Sequence, residues 1–281
     1  MSSGMWPRQW QIDPRLAAVL LMRDEPNSHS PNRCILITGA SGALGSASAV
    51  QNAASGTTMC LWGRDADRLE ETCKAAKQRG AMTSTTQLDI SDPLGAVDKL
   101  LEQDKETPYD LAYLVAGLGD TRSAQALVDP PEMILNAALV NFAAPAAMAS
   151  ALAERMVGRG GGQIVLIGSA AGHHSLPFAA SYSGSKAGLA QFASALRIAM
   201  QPHGVHVTLA APGFIDTPTL RRDGANRPFE IPVEEAARRV ITAGQQHRAH
   251  YVTPWQFSAL RMLDGLIPRA LRDRLLRLLE P

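Results

Sequence analysis

The chain has 281 residues, and its 27 basic and 26 acidic side chains leave a net charge of +1. So even a balance gives no electrostatic footprint for nucleic acid, and no basic run is interleaved with aromatics, so a small-molecule partner is expected. A chain of this length buries about 75% of its unfolded surface and needs no second domain.

Cys34, Cys60 and Cys73 form no CxxC pair and are odd in number, which fits a reducing, cytoplasmic compartment. Neither they nor the seven histidines have metal-ligand spacing, and no metal is expected. His247 and His250 flank an arginine at a helix end and read as solvated.

Residues 1–31 hold Pro7, Pro14, Pro26 and Pro31 around one apolar stretch, LAAVLLM. Seven apolar residues are too few for a membrane span, and no cleavage site follows, so the segment reads as an N-terminal arm or a short docking helix. From residue 32 to 254 strand-like and helix-like runs alternate, the pattern of a parallel sheet with helices on both faces. Strands are expected at 33–38, 57–62, 83–88, 110–115, 162–168, 204–210 and 250–253. Helices fill the gaps at 43–54, 65–79, 93–104, 131–157, 179–201 and 233–247. The expected fold is a single Rossmann-type, doubly wound α/β domain with about seven parallel strands, whose C-terminal ends share one ligand-binding edge.

The first strand runs into RCILITGASGALG, where Gly39, Gly42 and Gly45 precede a helix of small residues. Glycines at such a turn let backbone approach a pyrophosphate, and the helix N-terminus favours its charge; turn geometry alone is the alternative reason for them. After the second strand comes LWGRDADRL. Further on, the apolar run QIVLIG ends at Ser169, which opens the loop SAAGHH.

Thirteen residues later, SYSGSKAGL places Tyr182 and Lys186 one helical turn apart on one face, about 6 Å along the axis. A free phenol titrates near pH 10 and is a poor acid at neutrality unless a positive charge stabilises its phenolate, a charge Lys186 can supply. Ser169, at a strand end, is placed to hold a substrate oxygen beside Tyr182.

Taken in order, these segments resemble the short-chain dehydrogenase/reductase family over roughly residues 32 to 253, in its short single-domain form. TGASGALG, with Ser41 and Leu44 among its glycines, resembles the family's cofactor loop. LDIS around Asp89 resembles its adenine-side acid, and Ala116-Gly117 the end of its fourth strand. Asn141 in LVNFAAP, with Ser169, Tyr182 and Lys186, matches the catalytic four. Pro212-Gly213 in APGFIDTP matches the segment after the sixth strand, and Thr217 resembles the residue that binds the nicotinamide amide. Two departures stand out. Gly42 and Ala43 give GxxGxxG, the spacing of the family's extended branch, and Leu114 and Val115 replace its two asparagines.

The resemblance implies an oxidoreductase that passes hydride between a nicotinamide and a carbonyl or secondary alcohol of a small or lipid-like molecule. Tyr182 is then the acid or base, Lys186 lowers its pKa and holds the nicotinamide ribose, and Ser169 binds the reacting oxygen. Asn141 serves either a water chain to Lys186 or the bend of its helix. Gly63 occupies the place where NAD users carry Asp, and Arg64 suits a 2′-phosphate, which favours NADP(H) over NAD(H); pairing with Asp65 or Asp67 is the other reading of Arg64. Leu118, His173, His174, Leu176 and Phe178 are expected to line the cavity, covered by the segment 214–231 with Arg221, Arg222 and Arg227. A non-catalytic nucleotide sensor, an NAD-dependent dehydrogenase and an epimerase with tightly held NAD stay open.

The family also implies a homodimer or homotetramer paired through the helices of Asn141 and Tyr182, although the run NFAAPAAMASALA suits packing on the sheet equally. Residues 255–281 form an amphipathic helical extension, with Leu271, Leu275, Leu278 and Leu279 among four arginines and a last helix starting at Pro268. Packing on the protein surface is favoured for it over peripheral membrane contact.

Overall fold

Apolar residues alternate between the two sides of nearly every strand-forming run, so each strand needs cover on both faces. The computed structural model, which describes residues 33–119, 126–217, 227–264 and 267–277, supplies it. Its strands are β1 (Arg33–Thr38), β2 (Thr57–Gly63), β3 (Met82–Gln87), β4 (Leu111–Leu114), β5 (Gly162–Ile167), β6 (Val205–Pro212), β7 (Ile215–Asp216), β8 (Ile231–Pro232) and β9 (His250–Thr253). Seven of them form one parallel sheet in the order β3-β2-β1-β4-β5-β6-β9, while β7 and β8 pair by themselves. The helices are α1 (Ala43–Asn52), α2 (Ala66–Gln78), α3 (Pro93–Glu106), α4 (Pro131–Ala138), α5 (Ala144–Val157), α6 (Ala180–Met200), α7 (Val233–Gln245), α8 (Trp255–Asp264) and α9 (Arg269–Arg277).

Period-two side-chain geometry sorts the core into two layers. Leu36, Trp62, Leu114, Ile164 and Leu166 face α3, α5 and α6, through Leu100, Met148, Leu152 and Leu189. Their neighbours Ile35, Ile37, Leu61, Val165 and Ile167 face α1, α2 and α7, through Ala49, Leu69 and Val240. β3 is polar, and it is an edge strand, where threonines and a glutamine can meet water. The strand order reverses between β1 and β4, and the crevice above that switch point is where an open α/β sheet binds ligands.

The expected helix at 131–157 is three pieces. Between α4 and α5 the chain makes a π-turn over Leu139–Ala143, with Ala144 N bonded to Leu139 O. Pro145 has no N–H to return to the carbonyl four residues back, so the widened turn absorbs the mismatch. This stretch is the one described helix long and apolar enough to cross a membrane, and its buried face packs on the sheet. In the tail, Pro268 O accepts from Leu271 N and Arg272 N and so starts α9, while α8 is an additional helix that the leucine spacing did not reveal. Residues 1–31 lie outside the described residues.

Candidate functional site

A cavity of about 540 Å³ opens above the β1–β4 switch point. Gly39, Ser41, Gly42, Leu44 and Gly45 line one end, Ala116 and Gly117 another, and Gly63 and Arg64 the rim beyond β2. The loop permits no side chain at two positions. Gly39 has φ +70°, and a Cβ there would stand 2.8 Å from Ala116 backbone; a Cβ on Gly45 would stand 2.1 Å from Gly39 O. Helix α1 begins at Gly42 with no side-chain cap and no acid in its first turn. Its first N–H groups therefore remain available to an anion, with the helix dipole behind them.

Beyond β2, a Cβ on Gly63 would stand 2.6 Å from Ser41 Oγ, so Ser41 fills the space that an acidic side chain would need. Asp65 is spent as the N-cap of α2, accepting from Arg68 N at 3.1 Å. Arg64 instead faces Asp89 at 3.8 Å, both side chains being more than half exposed. Ser91 N–H, and then its hydroxyl and Arg64, hold the Asp89 carboxyl below its ordinary range against the cost of burial. Asp89 itself does not line the cavity; its neighbours Leu88 and Ile90 do. A second cation, Arg68, lines the same rim. Sequence reasoning missed it, although it follows Arg64 by four residues at the start of α2.

Thr38 was also missed. Buried at the end of β1, its Oγ1 accepts from Val115 N at 3.0 Å and Ala116 N at 3.2 Å. It braces the end of β4 where Leu114 and Val115 have no polar side chain to do so. A polar residue closing an otherwise apolar strand was the available signal.

Asn141, Ser169, Tyr182 and Lys186 gather beside the Gly117 end. Asn141 is fully buried in the π-turn; its Oδ1 accepts from Leu118 N at 2.7 Å, and its Nδ2 donates to Leu118 O at 2.9 Å. A Cβ on Gly117 would stand 3.1 Å from that Oδ1 and 3.3 Å from Lys186 Nζ, so the glycine is what lets the strand end pass between them. Lys186 donates to Ile167 O at 2.9 Å, and burial pushes its pKa down to about 8. Tyr182 is pushed up by burial, against a hydrogen bond with Ser169 that lowers it. The ammonium's hydrogen bond thus goes to the end of β5. Ser169 Oγ also accepts from Ala171 N at 3.1 Å.

A smaller chamber of about 60 Å³ adjoins this group, lined by Leu118, Met133, Asn136, Ala137, Asn141, Ser181 and Tyr182. Pro212 and Gly213 lie at the end of β6 and Thr217 follows β7, and none of the three lines either cavity. Gly213 N donates to Thr253 O at 2.7 Å, and a Cβ at Gly213 would strike the Phe257 ring of α8. Of the expected cavity wall only Leu118 lies on it. His173 turns away onto β9, where its Nε2 is 3.2 Å from Nε2 of His250, and the rings stand edge-on. His247, expected in solvent, stacks on His206 at 3.7 Å between ring centroids. His250 is partly buried for the same reason: β9 closes the sheet against β6. Arg221 and Arg222 lie outside the described residues. Among the described residues no three His, Cys, Asp or Glu side chains group as metal ligands.

A family model described as short chain dehydrogenase matches residues 33–228. An uncharacterized oxidoreductase of Myxococcus xanthus (strain DK1622) is 29% identical over 249 residues, 88% of this chain and 98% of that one. Epidermal retinol dehydrogenase 2 of Homo sapiens is 26% identical over 259 residues, covering 90% and 84%. Among solved structures, one from Agrobacterium tumefaciens with bound NADP has a TM-score of 0.70 at 25% identity, over 81% of this chain and 96% of that one.

Proposed function

Since the chain belongs to the short-chain dehydrogenase family, and is therefore an oxidoreductase, we propose that it uses NADP(H) to interconvert a carbonyl and a secondary alcohol, with Tyr182 as acid or base. The observation that carries the cofactor reading is the rim beyond β2: two arginines, Arg64 and Arg68, line it, and Ser41 excludes an acid at Gly63. A 2′-phosphate suits that rim, whereas a bare ribose would find no carboxylate on the strand end. Leu44 and the glycines of the loop would hold the pyrophosphate, and Ala116 and Gly117 the nucleoside's passage toward Lys186. Pro212, Gly213 and Thr217 would meet the nicotinamide end, with Asp89 beside the adenine through Arg64.

When bound, the nicotinamide supplies or accepts the hydride. Tyr182 moves the proton at the reacting oxygen, and Ser169, beside that phenol, holds the same oxygen. The charge of Lys186 stabilises the phenolate left behind, and Asn141 fixes the Leu118 backbone at the mouth of the small chamber. That chamber is mainly apolar at Leu118, Met133 and Ala137, with Asn136 and Ser181 as polar contacts, which suits a small or lipid-like carbonyl compound. The enzyme is read as a cytoplasmic homodimer or homotetramer, in which α8 and α9 pack on protein and not on a membrane. The domain is taken as residues 32–254, with 255–281 as its extension.

Side-by-side fluorescence titration with NADPH and NADH tests the cofactor. Arg64→Ala should weaken NADPH about 10- to 100-fold, the value of a lost charge-assisted hydrogen bond, and leave NADH nearly unchanged. Tyr182→Phe should keep NADPH affinity and lose about 100- to 10,000-fold in turnover. Failure of the wild type to bind either nucleotide would instead favour a non-catalytic protein, and stronger binding of NADH an NAD-dependent dehydrogenase.

A further inference from the structure

His173, His250 and Arg261 come from three elements: the 3-10 turn Ala170–His173 that follows Ser169, the first residue of β9, and α8. Nε2 of His173 lies 3.2 Å from Nε2 of His250, and Nδ1 of His250 lies 2.9 Å from an Arg261 guanidinium nitrogen. A guanidinium carries only donors, so Nδ1 of His250 must be the nitrogen with the lone pair. The proton of a neutral His250 then sits on Nε2 and is donated to His173. Nε2 of His173 is therefore an acceptor, and the proton of that ring sits on Nδ1. No other arrangement of protons on two neutral rings satisfies both contacts. Burial, then the charge of Arg261, lowers the pKa of both histidines, His173 to about 4, so both are neutral at neutral pH.

The turn that carries His173 is tied to Ser169 by two bonds. Ser169 Oγ accepts from Ala171 N at 3.1 Å, and Ser169 O accepts from Gly172 N at 3.0 Å. Gly172 lies flat on the helix of Lys186: a Cβ there would stand 2.9 Å from the Lys186 carbonyl carbon. The position of His173 is thus tied to Ser169 through these two bonds, and the turn lies against α6 at Gly172. At the other end, α8 is seated by Phe257, whose ring meets Phe214 and Phe229 edge-on at 6.1 and 5.9 Å.

We propose that Arg261 is a positioning residue for Ser169: through His250 and His173 it holds the turn that presents the serine hydroxyl to Tyr182, which makes the C-terminal helix α8 part of the active site. This rests on Ser169 and Tyr182 acting at the reacting oxygen.

The test combines histidine 15N NMR at neutral pH with turnover of NADPH and phenanthrenequinone, on wild type, Arg261→Met and Arg261→Lys. The wild type should show His250 protonated on Nε2 and His173 on Nδ1. Arg261→Met should scramble both tautomers and lower kcat about 10- to 100-fold, the loss typical of a reacting group misplaced by about an ångström, with KM for NADPH unchanged. Arg261→Lys, which keeps an N–H donor, should restore the tautomers and much of kcat. A wild-type His250 protonated on Nδ1 overturns the proposal, as does an Arg261→Met protein with wild-type kcat. If Arg261→Met does not fold, the wild-type tautomers and the lysine variant still decide. A wild type that binds NADPH but does not reduce this quinone shows only that the quinone is no substrate, and the tautomers of wild type, Arg261→Met and Arg261→Lys then decide the proposal.

Discussion

Lys186 shows how a single side chain can be costly to the fold and necessary to the site. Its ammonium is fully buried with one carbonyl partner, Ile167 O, and its pKa is lowered from 10.5 to about 8. The unfolded chain therefore holds more protons than the native one between about pH 8 and about pH 10.5, and stability rises with pH across that window. Below about pH 8 the full burial cost is present, on the order of 3 kcal/mol. Lys186→Met removes that cost but leaves Ile167 O without its donor, worth about 1 kcal/mol in the other direction. The variant should be inactive yet melt a few degrees higher at neutral pH. Its advantage should shrink as pH approaches 10. Thermal melts at pH 7, 8.5 and 10 read this directly, and a variant that melts lower at pH 7 would mean that the ammonium is stabilised by partners other than Ile167.

At the scale of elements, the loop between β1 and α1 is set by contact and not only by backbone freedom. Gly45→Ala puts a methyl within 2.1 Å of Gly39 O, inside the first turn of α1. The loop has to open, at a cost of about 1–3 kcal/mol for overpacking, and nucleotide affinity should fall by more than about tenfold. Calorimetric titration with NADPH and a melting curve check both; unchanged affinity would show that the loop does not need its close approach to Gly39. The π-turn is a comparable case. Asn141 could be read as a relay or as a bend, and the turn makes it both a product of the bend and the residue that ties α4–α5 to Leu118.

For the whole molecule, the alanine-rich run of α5 is spent on the protein's own core: Ala144, Met148, Ala149, Leu152 and Ala153 are buried against the sheet layer. What α4, the π-turn and α6 leave exposed is Ile134, Leu135, Phe142 and Ile198. Assembly through these helices would use those side chains. Phe142→Glu with Ile198→Glu should therefore lower the sedimenting mass to that of one chain of 30.0 kDa without changing the circular dichroism spectrum. A double variant with the wild-type mass would move the interface elsewhere.

The alternation of strands and helices, and with it a parallel sheet covered on both faces, was legible in the sequence, because it rests on local patterns. Short, nearly continuous apolar runs separated by helical stretches call for strands covered on both faces, and the glycine loop, Ser169, Tyr182 and Lys186 each sit at a strand end or on a helix face that this pattern fixes. Choices between spatial neighbours were decided only by tertiary structure. Whether Arg64 pairs with Asp65 or Asp89, whether His173 faces the cavity or His250, and which donor meets the phenol all depend on contacts between residues far apart in the chain. Sequence spacing carries no information on such contacts until the sheet has brought β2 to β3, and β6 to β9. Thr38, Arg68 and Arg261 belong to this class: each is ordinary in its own segment, and becomes informative only when packing sets it beside a strand end, a cavity rim or a pair of imidazoles.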